Sequence, residues 1–337
     1  MKEVEDVPGI WMHLEYGRLL AGEFKDRFSC RDGSGGEGKL YQLGCQGPDF
    51  LLYHSFWPWN KDTRAIRLGD QMHAAHCGPV LLEFWERTFR LNGQEQREAQ
   101  QYFLGFLTHH LLDRNLHPYI NWKAGYRDRD HQRFEFVLDT VFMHKLRHFE
   151  TWREPAWSRI SVGRNLPRSV RHILHETVSA WYPETGRLPE NLWDEAYLDM
   201  VLAQKWLFDP RGWKKRLVPQ SWRHLFYHPP TAGEERLDYL NETHTQWRHS
   251  ALYSEVRTES VTDLWEQALE EGRMVLQALA GWLGGTTLAE TSTGREQFIQ
   301  LLGDRSYDTG KECSSNLSNQ YAEPIWESGK VPESASM

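Results

Sequence analysis

FLGFLTHHLLDRNLHPY (residues 103–119), followed by HQRFEFVLD (131–139), is the stretch from which the rest of the chain can be read. Ala99, Tyr102, Phe103, Phe106, Leu107 and His110 fall near one face at helical spacing, which predicts a helix over 93–116. Pro118 disfavours helical geometry at His117, so the helix is expected to close there. His109, Asp113 and His117 follow one another at four-residue intervals. Such neighbours stack on one helix face, so His109 and Asp113 can reach the same ion. His117, just past the expected helix end, can turn back toward a neighbouring ion. His131 and Glu135 form a second pair of the same spacing at the start of the next helix. Two such helices packed face to face would present three imidazoles and two carboxylates to one pocket. Imidazole nitrogen with carboxylate oxygen suits zinc, and bundle cores are a usual place to assemble such a set.

Spacing alone does not decide the matter, because the chain contains pairs of the same kind elsewhere. His144 and His148, His172 and Glu176, and His224 and His228 are each four apart. A single pair of this type is more often a solvated helix face than a site. His175-Glu176 also fails as a zinc-protease motif, since residue 179 is Ser where a second His is needed.

Outward from the central stretch, helical periodicity dominates and no strand-like alternation is sustained. Asp6 and Pro8 could open a first helix containing Trp11, Leu14, Leu19 and Leu20. RDGSGGEG (31–38) reads as a loop, and Gly-Pro-Asp (47–49) as a turn. Helices are expected from about 66, from Pro79, near 166–181, near 192–207 and within 236–283. LDYLNETHTQWRH (237–249) reads as a packed amphipathic helix or a segment facing a pocket or partner. The expected division is a core at 1–150, a helical extension at 151–302 packed on it as one domain, and a polar tail at 303–337 that reads as disordered.

Thirty-one residues that are Trp or Phe can fill a large core in this 337-residue chain. A formal net charge of −8 argues against a nucleic-acid scaffold, which needs a basic surface. It leaves room for a site that holds one phosphate through metal ions. Cys30, Cys45, Cys77 and Cys313 show no CxxC pattern and read as free thiols of a reducing compartment. MKEVEDVPG carries three acids in its first six residues and lacks an apolar leader, so a cytoplasmic protein is expected. No run of eighteen apolar residues predicts a membrane span.

The central stretch resembles the bacterial zinc-dependent phospholipase C family. That family carries Leu-Gly-x-x-x-His-x-x-x-Asp on a helix, then a His, then His-x-x-x-Glu with a following Phe/Val-Asp stretch. Leu104-Gly105 precede His109 and Asp113 here, and Val137 to Asp139 follow Glu135. The resemblance implies an all-α, multi-helix bundle and further site residues. His13 in IWMH matches an early helical ligand, and Asp49 in GPDF matches a catalytic Asp that orients or deprotonates the attacking water. A further ligand should lie between them and the main helix: His73, with His54 and His76 as rivals. In this scheme His73, His109 and Asp113 hold one zinc, while His117, His131 and Glu135 hold a second. A third, near His13 and Asp113, is open. The secreted enzymes bind it with the amine of a processed N-terminal Trp, whereas Trp11 here is internal. The interval from Asp113 to His117 is also shorter than in those enzymes.

The implied activity is metal-assisted hydrolysis of a phosphoester, a phospholipid by the family's name. A related zinc fold cleaves single-stranded nucleic acid. A non-catalytic, zinc-stabilised helical protein that binds a partner through 151–302 is the alternative of another class. Phe56, Trp57 and Trp59 could line a lipid or base pocket, or simply pack in the core.

Overall fold

The computed structural model describes residues 9–28, 36–57, 60, 62–127, 129–183 and 188–326. Helices dominate: α1 (Trp11–Phe28), α2 (Gly36–Gly44), α3 (Arg64–Ala74), α4 (Cys77–Thr88), α5 (Gly93–Ala124), α6 (Asp130–Arg147), α7 (Trp157–Ile160), α8 (Arg168–Trp181), α9 (Leu192–Leu207), α10 (Trp213–Leu217), α11 (Val261–Gly284) and α12 (Leu288–Leu302). Among the described residues the fold is all-α apart from one two-stranded sheet, Trp247–His249 paired antiparallel with Leu252–Arg257, and an isolated antiparallel bridge between Arg305 and Glu312. No helix among the described residues is long and apolar enough to cross a membrane. The expected cap at Asp6 and Pro8 lies outside the described residues, as do Cys30 and Trp59.

Helix α5 is the axis of the molecule. It is buried on nearly every face from Ala99 to Ala124, and α1, α2, α4, α6, α8 and α11 all pack on it. A helix enclosed in this way needs apolar or paired residues all round, which FLGFL and HHLLD provide. One hydrophobic cluster runs from Ile10 to Ile325, so residues 151–302 share the core of 1–150.

A close approach of α2 to α5 sets the position of the central histidine. A side-chain carbon at Gly105 would stand 2.1 Å from the Tyr41 carbonyl oxygen, and one at Gly44 would stand 2.1 Å from that of Tyr102. Two facing glycines thus let α2 touch the backbone of α5. The contact brings the Cys45 carbonyl to 3.2 Å from His109 Nδ1.

Four expectations are corrected. Helix α5 does not end at His117 but runs through Pro118 to Ala124. The proline removes one helical donor, a loss of the order of 3 kcal/mol in an isolated helix, and the burial of Tyr119, Ile120 and Trp122 offsets it. Helix α2 begins at Gly36, inside the expected loop. Residues 237–249 are turns and a strand rather than a helix. Asp238 accepts the amides of Glu242 and Thr243, and Asn241 donates to the carbonyls of Thr245, Thr258 and Glu259. Such side chains satisfy the backbone locally and compete with helix.

Finally, residues 303–326 are not a disordered tail. Arg305 bridges to Glu312, Ser306 N–H donates to the Lys311 carbonyl, and the hairpin so formed (304–313) inserts the buried Tyr307 into the core. Its entry is fixed by Arg114 of α5. That guanidinium is buried, pairs with Glu271 at 2.8 Å and donates to the Leu302 carbonyl at 2.6 Å, capping the end of α12. Residues 327–337 lie outside the described residues.

Candidate metal centre

Five imidazoles turn the same atom, Nε2, toward three carboxylates. His109 Nε2 lies 2.8 Å from Asp113 Oδ2 and 3.4 Å from Asp49 Oδ1. His73 Nε2 lies 3.1 Å from Asp49 Oδ1, and His13 Nε2 lies 3.2 Å from Asp113 Oδ1. His117 Nε2 stands between Asp113 Oδ1 at 3.7 Å and Glu135 Oε1 at 3.5 Å. His131 Nε2 is 3.0 Å from Glu135 Oε1. The donors form two groups, each with its atoms within 4.8 Å of one another: Asp49, His73, His109 and Asp113; and His117, His131 and Glu135. All are buried except His117 and His131, which are half-buried. The sequence offered these same eight residues, His13 included, and the fold brings all eight together.

The elements explain the convergence. α5 stacks His109, Asp113 and His117 on one face, and α6 faces it with His131 and Glu135. Asp49 opens a 3₁₀ segment, Asp49–Ser55, directly after the Gly-Pro turn, and His73 lies in the last turn of α3. Asp139, in the flank that carried the family resemblance, positions α1. Its carboxylate accepts the amides of Ile10, Trp11 and Met12 at 2.8–2.9 Å, and the Tyr227 hydroxyl. These are orphan donors of the first helical turn, so Asp139 holds the helix that carries His13. Burial, opposed by these hydrogen bonds, leaves the Asp139 carboxyl raised to about 6. Glu135 is fixed in turn by the Gly9 amide, which donates to Oε2 at 2.9 Å.

Two observations test whether these residues suit a metal ion. His73 Nδ1 is 2.8 Å from the Gly69 carbonyl, and His109 Nδ1 is 3.2 Å from that of Cys45. A ring N–H donated to a carbonyl leaves the lone pair on Nε2, and metal-bound histidines are oriented in this way. Furthermore, buried His109 Nε2 and Asp113 Oδ2 approach to 2.8 Å, yet neither has a hydrogen-bond partner of acceptable geometry. Two donor atoms held this close, off hydrogen-bond alignment, are placed as two ligands of one cation would be. The set of nitrogen and oxygen donors fits zinc.

Without an ion, the electrostatics are those of buried ion pairs. Burial alone would lower the His109 and His73 imidazoles, but the adjacent Asp113 and Asp49 outweigh it, raising them to about 10 and about 9. Burial would raise Asp49, but His109 and His73 hold it well below the usual carboxylate range. His13 goes the other way. Burial and the neighbouring His109 lower it to about 4 against the pull of Asp113, leaving it neutral at pH 7.

Of the rivals to His73, His54 pairs with Asp199 at 3.0 Å. His76 takes a left-handed conformation before α4, with its ring 5.3 Å from Trp181. Neither joins a donor group. His144–His148 and His172–Glu176 stay outside both groups, and so do His224 and His228. Phe56 packs against Trp57, Trp206 and Trp222 in the core. His110 is an inner packing residue: its Nε2 bonds the Arg305 carbonyl at 2.7 Å and its ring lies 4.3 Å from Tyr307.

The hairpin at 304–313 contributes what sequence reasoning missed. Tyr307 lies against His73, His109 and His110, and Asp308 Oδ1 is 3.8 Å from His117 Nδ1. Nothing in the polar run SYDTGK distinguishes it from a solvated tail, because its packing rests on backbone hydrogen bonds and one aromatic ring.

No curated protein and no solved structure matches the chain. Residues 12–181, half of the chain, match the family model described as zinc dependent phospholipase C. That span contains all eight converging residues and stops short of the hairpin. On this match, the chain belongs to the zinc-dependent phospholipase C family.

Proposed function

We propose that this chain is a zinc-dependent phosphodiesterase that cleaves phospholipid headgroups in the manner of a phospholipase C. The observation that carries the reading is the place of Asp113. Its Oδ2 faces His109, while its Oδ1 faces both His13 and His117, so one carboxylate joins the two donor groups. His73, His109 and Asp113 would hold one zinc, and His117, His131 and Glu135 a second. His13 leans on Asp113 and would reach a third. Zinc held there would polarise a phosphoryl oxygen and acidify a water.

The chain's own groups then have distinct tasks. Asp49 stays ionised, and its carboxylate can accept a proton of the attacking water and so aim its lone pair at phosphorus. The carbonyls of Gly69 and Cys45 keep the His73 and His109 rings from turning. Met12, Leu112, Leu116 and Ile120 give the cleft beside His13 and Glu135 an apolar lining that limits water.

The test is an assay of the zinc-loaded protein on a chromogenic phosphocholine diester and, separately, on single-stranded DNA. Turnover of the choline diester that is lost on chelation, restored by zinc and abolished in Asp49→Asn supports the reading. Turnover of DNA alone would replace it with a nuclease. Full zinc loading with no turnover of either substrate would replace it with a non-catalytic binding role.

A further inference from the structure

A second group of metal-binding side chains lies at the base of the 304–313 hairpin, apart from the centre described above. Cys77 is the first residue of α4 and is buried, while Asp304 and Cys313 are half-buried and close the hairpin. Their donor atoms lie within 4.8 Å of one another. The two sulfurs are 3.6 Å apart, and both thiols are free.

That separation rules out one of the two common fates of a cysteine pair and leaves room for the other. A disulfide needs about 2.05 Å between sulfurs. Two thiolates on one tetrahedral zinc, each about 2.3 Å from it, sit about 3.8 Å apart. The observed spacing excludes the disulfide and is compatible with the second arrangement, the metal-free thiols meeting in a hydrogen bond from Cys313 to Cys77. The third donor is also held in place. The Gly78 amide donates to Asp304 Oδ1 at 3.1 Å, and the Cys313 amide donates to the Asp304 carbonyl at 2.7 Å. Asp304 and Cys313 are therefore fixed to each other by the hairpin and to α4 by the amide of Gly78.

We propose that Cys77, Asp304 and Cys313 bind a thiophilic divalent cation of the zinc class, with solvent completing the coordination on the half-exposed side. Each thiol gives its proton to solvent on binding, and no electron is transferred. The ion pins the base of the hairpin to α4, while the tip of the same hairpin carries Tyr307 and Asp308 to the candidate centre. Its role is structural, and it stands whether or not the phosphodiesterase reading does.

Cobalt(II) substituted for zinc in the full-length protein provides the test. The candidate centre contains only nitrogen and oxygen donors, so a thiolate-to-cobalt charge-transfer band reports on sulfur ligation elsewhere. The expected result is such a band in the wild-type protein, abolished in Cys313→Ser and shifted or weakened in Asp304→Asn. Visible bands of nitrogen- and oxygen-bound cobalt should persist in both variants. Zinc content should fall by about one ion per chain in Cys313→Ser. Cys313 is chosen because it is half-exposed, and the wild-type spectrum itself needs no variant. Absence of the band in cobalt-loaded wild-type protein would overturn the proposal. So would its survival in Cys313→Ser, or a Cys77–Cys313 disulfide found by non-reducing peptide mapping of fresh protein.

Discussion

The backbone N–H of Tyr307 donates to the carbonyl of His73 at 2.9 Å, and the two rings lie 5.1 Å apart. A residue near the end of the chain therefore supports a ligand candidate on α3 by both backbone and ring. Tyr307 is fully enclosed, so Tyr307→Ala should cost about 3–5 kcal/mol in urea denaturation. It should also speed zinc loss to a chelator, because His73 and His109 lose the surface they rest on. A variant with wild-type stability and wild-type zinc retention would contradict this account of the hairpin.

The division into two donor groups predicts how single substitutions change zinc content. His109→Ala and His131→Ala should each lose about one ion relative to wild type, from different groups. Asp113→Ala should lose about two, because its carboxylate faces both groups. Elemental analysis of the dialysed proteins decides this. An Asp113→Ala protein that keeps as much zinc as His131→Ala would remove the joining role of Asp113.

Proton competition gives a pH dependence of definite sign. In metal-free protein the imidazoles of His73 and His109 are raised to about 9 and about 10, against an unfolded value of about 6.5. Their contribution to metal-free stability is therefore fully present below about pH 6.5 and is lost as pH rises through 9 to 10. Zinc binding needs the same lone pairs, so its apparent affinity should rise with pH by about tenfold per unit for each proton displaced. Denaturation of the chelated protein and chelator competition for zinc should thus slope in opposite directions. His73→Asn should reduce both slopes.

The contact of α2 with α5 yields a stability prediction with an internal control. In Gly105→Ala the added methyl must push the Tyr41 backbone away, at about 1–3 kcal/mol, and draw the Cys45 carbonyl off His109. Gly22→Ala on α1 meets nothing and should be neutral or stabilise by about 0.5–1 kcal/mol. Equal effects of the two substitutions in denaturant titrations would exclude the close approach as the reason for glycine at 105.

What could be read from the sequence was local. The stacking of His109 over Asp113 and of His131 over Glu135 follows from helical pitch, and the flanking Leu-Gly and Val-Leu-Asp tied them to a family. His73 could not be separated from His54 and His76 by spacing. The choice between them depends on which one faces Asp49 across a fold boundary, and on His54 finding Asp199 far along the chain. Pro118 misled because its local penalty is overridden by the burial of the turn that follows it. The 237–249 segment misled because Asp238 and Asn241 spend their polar groups on backbone rather than solvent. The hairpin was illegible because a polar composition does not reveal backbone pairing with a distant helix.

Pro118 also leaves the Arg114 carbonyl without a helical donor, and Gly310 packs there: a side-chain carbon at Gly310 would lie 2.1 Å from that oxygen. The surface at this point is shaped by the proline for a partner that comes nearly two hundred residues later. Synthesis runs from the N-terminus, so His13 through Glu135 leave the ribosome before residues 304–313, and Tyr307 and Asp308 are the last of the groups around the centre to be made. The hairpin is thus a late-encoded wall of a centre whose eight donors all lie upstream of it in the chain.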